Sequence, residues 1–140
     1  MLECGPAICN LHWPNRIRPV TTRPSPSVFR QRFAAGEQLV GSFIKTPTTH
    51  AIEILGDLGF DFVVIDEEHA PFNRESIDVA LLAARASGTA GIVRVPDATP
   101  ARILSVLDCG ATGVLVPHVA SVEIATSIAA ASRYRGGRRG

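Results

Sequence analysis

The sequence predicts an α/β chain carrying about four βα units of a (βα)8 barrel, and three observations predict it. First, Phe60-Asp-Phe-Val-Val-Ile-Asp-Glu-Glu-His-Ala-Pro-Phe72 holds a continuous apolar core, Phe62 to Ile65, rather than an alternating one. Such a run fits a parallel strand covered on both faces. Second, strand-like and helix-like segments alternate four times at a spacing of roughly 20–30 residues, as parallel strands joined by crossover helices require. Third, every strand ends in polar chemistry: Lys45, then Asp66 to His69, then Arg94, then His118. One-sided placement of this kind is expected of a barrel with its site on the C-terminal face. A flavodoxin-like open sheet is the competing fold, but it would carry a glycine-rich phosphate loop after its first strand, and Lys45-Thr-Pro-Thr is not one.

The elements follow in order. Residues 1–27 hold five of the ten prolines and no apolar period, so they read as an extended or disordered lead-in. They lack the apolar segment of a secretory signal. Residues 28–140 form the folded unit. Phe29 to Glu37 reads as a short helix, and Leu39 to Thr46 as a strand stopped by Pro47. Thr48 or Thr49 can cap a helix presenting Ile52, Leu55 and Leu58, ended by Gly59. The Asp66 strand comes next. Asn73 caps a helix with Ile77, Leu81, Leu82 and Ala84 at helical spacing, stopped by Gly88. Gly91 to Val95 is the third strand. Thr99 caps a helix with Pro100 in its first position and Ile103, Val106 and Leu107 as the buried stripe, closed by Gly110. Gly113 to Pro117 is the fourth strand, and Ser121 caps a last helix reaching about Ser132.

Composition excludes several classes. The chain has 140 residues, 46% hydrophobic and 19% charged, enough for one core. Net charge is +1, yet residues 39–132 carry five basic against eleven acidic side chains. No basic face is available there, which argues against a nucleic-acid partner. No apolar stretch reaches the roughly 18 residues that span a bilayer. The three cysteines, Cys4, Cys9 and Cys109, make neither a disulfide framework nor a metal set. A reducing cytoplasm is the expected compartment.

Asp66, Glu67, Glu68 and His69 place three carboxylates and an imidazole within four residues, a pattern suited to pKa tuning. Taken singly, these residues allow plainer roles. Asp66 could cap the following turn with the two glutamates solvated. Arg94 could be a partly buried ion-pair partner, Asp108 a solvated helix residue, and His50 and His118 structural or capping groups.

Together, Phe60-Asp-Phe-Val-Val-Ile-Asp-x-Glu-His-Ala-Pro, Val93-Arg-Val-Pro, Leu107-Asp-x-Gly and Val114-Leu-Val-Pro-His resemble the HpcH/HpaI aldolase family, as does the tail from Arg133-Tyr134 to Gly140. The resemblance covers about residues 29–140. Members are metal-dependent class II pyruvate aldolases, including 2,4-dihydroxyhept-2-ene-1,7-dioate and 2-keto-3-deoxy sugar acid aldolases. The resemblance implies a lyase acting on 2-keto-4-hydroxy acids, with small keto acid and aldehyde as substrates and a homo-oligomer at full length. It implies that His69 handles the proton, and that Asp108 raises the basicity of that histidine, often across a subunit interface. Asp66 and Glu68 would bracket the site, and Arg94 would hold the pyruvate carboxylate or keto oxygen. It also implies a divalent cation, Mg2+, Mn2+ or Co2+, whose ligands fall after Gly140 in the family pattern.

A closed barrel takes about 250 residues, so the chain reads as its N-terminal half. Two other readings remain open at this point. One is a non-catalytic half-barrel that self-associates or binds a partner. The other is a different pyruvate- or phosphoenolpyruvate-handling lyase, including a Schiff-base enzyme using Lys45, the only lysine.

Overall fold

In a computed structural model, residues 26–139 are described, and they form four parallel strands alternating with five helices. The expected lead-in lies outside the described residues except for its last two positions. Those two belong to helix α1 (Pro26–Ala34). The helix starts earlier than its apolar residues indicate because a proline suits the first helical position, where no N–H is needed.

Strands β1 (Gly41–Ile44), β2 (Phe62–Asp66), β3 (Ala90–Arg94) and β4 (Gly113–Leu115) lie side by side in the order β1-β2-β3-β4. Each pair is parallel. Sequential order without a reversal is what a barrel wall requires, whereas a doubly wound sheet changes direction at a switch point. The crossovers are α2 (His50–Asp57), α3 (Arg74–Ser87) and α4 (Pro100–Asp108), and α5 (Val122–Ala131) follows β4. The chain is a partial α/β barrel.

Alternation along each strand sorts the side chains. Ile44, Val63, Ile65, Val93 and Val95 face the helices and join Ile52, Ile77, Leu81, Ala84 and Val106 in one buried core. On the opposite, inner face, Phe43, Val64, Ile92 and Gly113 are in register. Below them Gly41 pairs with Phe62, whose ring occupies the space a Cβ at Gly41 would need. Phe29 of α1 packs against Phe62 with ring centroids 5.7 Å apart, so α1 closes the lower end of this face. The flanks of the inner face are open, Phe43 of β1 and Leu115 of β4 being 46% and 42% exposed, while Val64 between them is buried.

Helix termini show where local chemistry differs from expectation. Asn73 forms a full capping box with Ser76, its Oδ1 accepting the Ser76 N–H at 2.9 Å, and Gly88 ends α3 in the left-handed region. Ser121 caps α5 as expected. Thr49 and Thr99 make no side-chain cap. Instead the Thr48 hydroxyl sits 2.8 Å from His50 Nδ1, and Asp97 accepts the Thr99 N–H at 2.8 Å. Leu58 and Leu82, expected in the buried stripes, are exposed, because each helix buries a narrower arc than its leucines span. Strands β1 and β4 are shorter than expected, since pairing stops where the chain turns toward the next helix.

Candidate active site

The upper inner row of the sheet is polar. The β2–β3 register sets Asp66 directly beside Arg94, and Arg94 beside Leu115 of β4. Asp66 is fully buried. Its Oδ1 accepts from Arg94 Nε at 2.9 Å and its Oδ2 from Arg94 Nη2 at 2.7 Å. This two-point fork is the strong form of the carboxylate–guanidinium pair. Asp66 Oδ1 also accepts the His69 N–H at 3.1 Å, which folds the Asp66–His69 turn back on the strand end. Asp66 thus caps the turn and also pairs with Arg94. The Arg94 bonds hold its carboxyl at about 2, against the opposing effect of burial, with the His69 N–H and the Lys45 charge helping.

Arg94 is fixed on its other sides too. Its guanidinium carbon lies 5.0 Å from the centre of the Phe43 ring, a cation–π arrangement. Glu68 Oε2 lies 3.2 Å from Arg94 Nε. That oxygen makes no hydrogen bond, because the N–H points at Asp66, so the contact is one of charge alone. Lys45 Nζ, from the end of β1, reaches 3.7 Å from Asp66 Oδ2.

The two glutamates are not solvated: each side chain is only 10% exposed. Glu68 Oε1 faces two imidazoles, His118 Nε2 at 3.3 Å and His69 Nε2 at 3.6 Å. Glu67 turns away, toward Arg102 at 3.3 Å. Its Oε2 is buried without a hydrogen bond, and burial raises its carboxyl, opposed by Arg102 and reinforced by Asp97.

Four of the five expected site residues, Asp66, Glu68, His69 and Arg94, therefore converge at one end of the sheet. Asp108 does not join them. It ends α4, which runs back from the site, and its Oδ1 accepts from Arg139 Nη2 at 3.0 Å. Within one chain Asp108 and His69 do not meet. Two participants, Phe43 and His118, fall outside the site residues that the sequence proposes. Phe43 is a strand residue whose inward parity marks it only once the register is known. His118 reads from the sequence as a structural or capping residue, although its position just after β4, with the other strand ends, is the available signal.

Among the described residues, no group of three or more histidine, cysteine or acidic side chains is arranged to hold a metal ion. The reason is visible in the pairing: both Asp66 oxygens are committed to Arg94. No helix among them is long and apolar enough to cross a membrane.

Comparison with known proteins agrees with this fold. Residues 39–140 match the family described as HpcH/HpaI aldolase/citrate lyase. A hydroxypyruvate/pyruvate aldolase of Roseobacter denitrificans is 38% identical over 119 residues, 84% of this chain and 46% of the relative. A 5-keto-4-deoxy-D-glucarate aldolase of an Enterobacter species is 37% identical over 109 residues, 78% of this chain and 43% of that protein. Among solved structures, citrate synthase SbnG superposes with a TM-score of 0.75 at 38% identity, covering 79% of this chain and 46% of its own. The chain thus spans about half the length of the relatives it matches. A match over residues 39–140 that includes every strand and the whole acid–imidazole–guanidinium row leaves one assignment: the chain belongs to the HpcH/HpaI aldolase/citrate lyase family.

Proposed function

We propose that this chain supplies half of the active site of a carbon–carbon lyase that interconverts 2-keto-4-hydroxy acids with pyruvate and an aldehyde. The observation that carries the proposal is Arg94, locked by Asp66 at the end of adjacent strands with His69 beside it on the open side. Nε and Nη2 are taken by Asp66, so the Nη1 edge is the donor offered to a substrate oxygen. In the cleavage direction a base removes the C4 hydroxyl proton. The C3–C4 bond breaks, the aldehyde leaves, and its electron pair becomes the enolate of pyruvate. The charge at the C2 oxygen faces the guanidinium, whose position is already paid for by folding. Protonation of C3 then gives the pyruvate methyl group. His69, 58% exposed at the mouth, is the group assigned to this proton traffic, as an imidazole suits transfer near neutral pH.

The described residues do not by themselves fit a divalent cation, for the reason given above, and no step here is routed through one. The family reading places the cation's ligands outside these residues. It also gives Asp108 a part beside His69, often across an interface between subunits of a homo-oligomer, and within one chain Asp108 pairs with Arg139 instead. The 38% identity to a citrate synthase supports a second reading, in which the same enolate attacks a different carbonyl partner.

The test is a coupled assay of the full-length protein with a panel of 2-keto-4-hydroxy acids and added Mg2+, Mn2+ or Co2+. Pyruvate release supports the lyase reading. No release from any of them, with condensation onto another keto acid instead, supports the synthase.

A further inference from the structure

We infer that His118 is a positioning residue, which shares the Glu68 carboxylate with His69 and keeps it from closing further on the His69 ring, so that the ring stays available for proton transfer. The role assigned to His69 rests on the lyase reading above; the placement of Glu68 does not. Among the described residues His118 is the one non-glycine with a positive φ, 56°. Non-glycine residues enter this region only occasionally, histidine more readily than most, and such residues gather at functional sites. The consequence here is directional: the chain leaving β4 turns at His118 and brings the ring to Glu68 from the far side of the sheet end.

Glu68 has few choices. Arg94 from β3 faces its Oε2 through Nε, whose N–H is spent on Asp66, and Lys45 from β1 reaches Asp66. That leaves His69, from the turn after β2, and His118, from the turn after β4, both at Oε1. The His118 contact, at 3.3 Å, is the shorter and the His69 contact is 3.6 Å; both are contacts of charge without a hydrogen bond. Without His118, His69 is the one imidazole left at Oε1. An ion pair formed there would keep His69 protonated to higher pH and withdraw it from base catalysis.

The experiment follows the His69 ring in the full-length protein labelled with carbon-13 at histidine Cε1, the signal being assigned by its loss in His69→Ala. His118→Gly removes the ring and relaxes the left-handed backbone, so folding is not put at risk. His118→Gln keeps a side-chain N–H at similar reach. His69 is expected to titrate higher by about one pH unit in His118→Gly and as in the unsubstituted protein in His118→Gln. Coincident curves for His118→Gly and the unsubstituted protein overturn the inference. So does a shift in His118→Gln as large as that in His118→Gly, which would make the effect one of charge rather than tethering. Exchange of pyruvate methyl protons on the same samples reports separately on the lyase: its absence from the unsubstituted protein with metal added overturns that reading while the titration still decides the role of His118.

Discussion

Asp66 and Arg94 are Cα partners across β2 and β3, and both aspartate oxygens accept from the guanidinium, at 2.9 and 2.7 Å. The pair is set by strand register, not by a loop, so the position of the guanidinium is as rigid as the sheet itself. A buried fork of this kind is weak evidence of added stability but strong evidence of a fixed cation.

That rigidity gives the first prediction. Arg94→Lys keeps the charge but replaces a planar fork with a point charge, and the Phe43 contact is weakened. Turnover in the full-length protein should fall by about 100-fold or more, with a smaller change in KM. A rate within a few-fold of the unsubstituted protein would remove Arg94 from the reacting oxygen.

Acid stability follows from Asp66. Its folded carboxyl sits at about 2, below the ordinary 3.8. The stabilisation is therefore complete above pH 4 and is lost as the pH falls toward 2. Up to about 2 kcal/mol is at stake. Thermal melts across that window should show a steeper acid loss in the unsubstituted protein than in Asp66→Asn.

Glu67 has the opposite sign. Burial raises its carboxyl, so the charged form is the costly one above that raised value. Glu67→Gln should raise Tm at neutral pH, and the gain should shrink as acid protonates the native glutamate. A lower Tm at neutral pH would show that the Arg102 contact outweighs desolvation.

The class of lyase can be separated chemically. Lys45 is the only lysine of these 140 residues, and its Nζ lies by Asp66. Borohydride with pyruvate should leave it unmodified, Lys45→Ala should retain at least about a tenth of the rate, and EDTA should abolish turnover. A trapped pyruvyl-lysine at Lys45 would make the enzyme a Schiff-base lyase.

Much of the fold was legible because its signals are local. The unbroken apolar run at Phe62–Ile65, Asn73 before α3 and Gly88 after it each carry their reason in adjacent residues. Leu58 and Leu82 were not legible, since helical spacing alone does not set how wide an arc the sheet covers. The acid cluster could be read as a cluster, but its division could not. Only register shows that Asp66 serves Arg94, that Glu67 turns to Arg102, and that Glu68 is shared by two imidazoles. His118 depends on a backbone turn that no pattern of residue types announces.

The most direct test of the account is exchange of the pyruvate methyl protons for deuterium by the full-length protein, followed by NMR with no aldehyde present. Exchange requires only proton transfer at C3 and stabilisation of the enolate, the two tasks given to His69 and Arg94. Rapid, metal-dependent exchange is expected, and His69→Ala should abolish it while the fold and its melting temperature persist. Exchange that continues undiminished in His69→Ala would contradict the account.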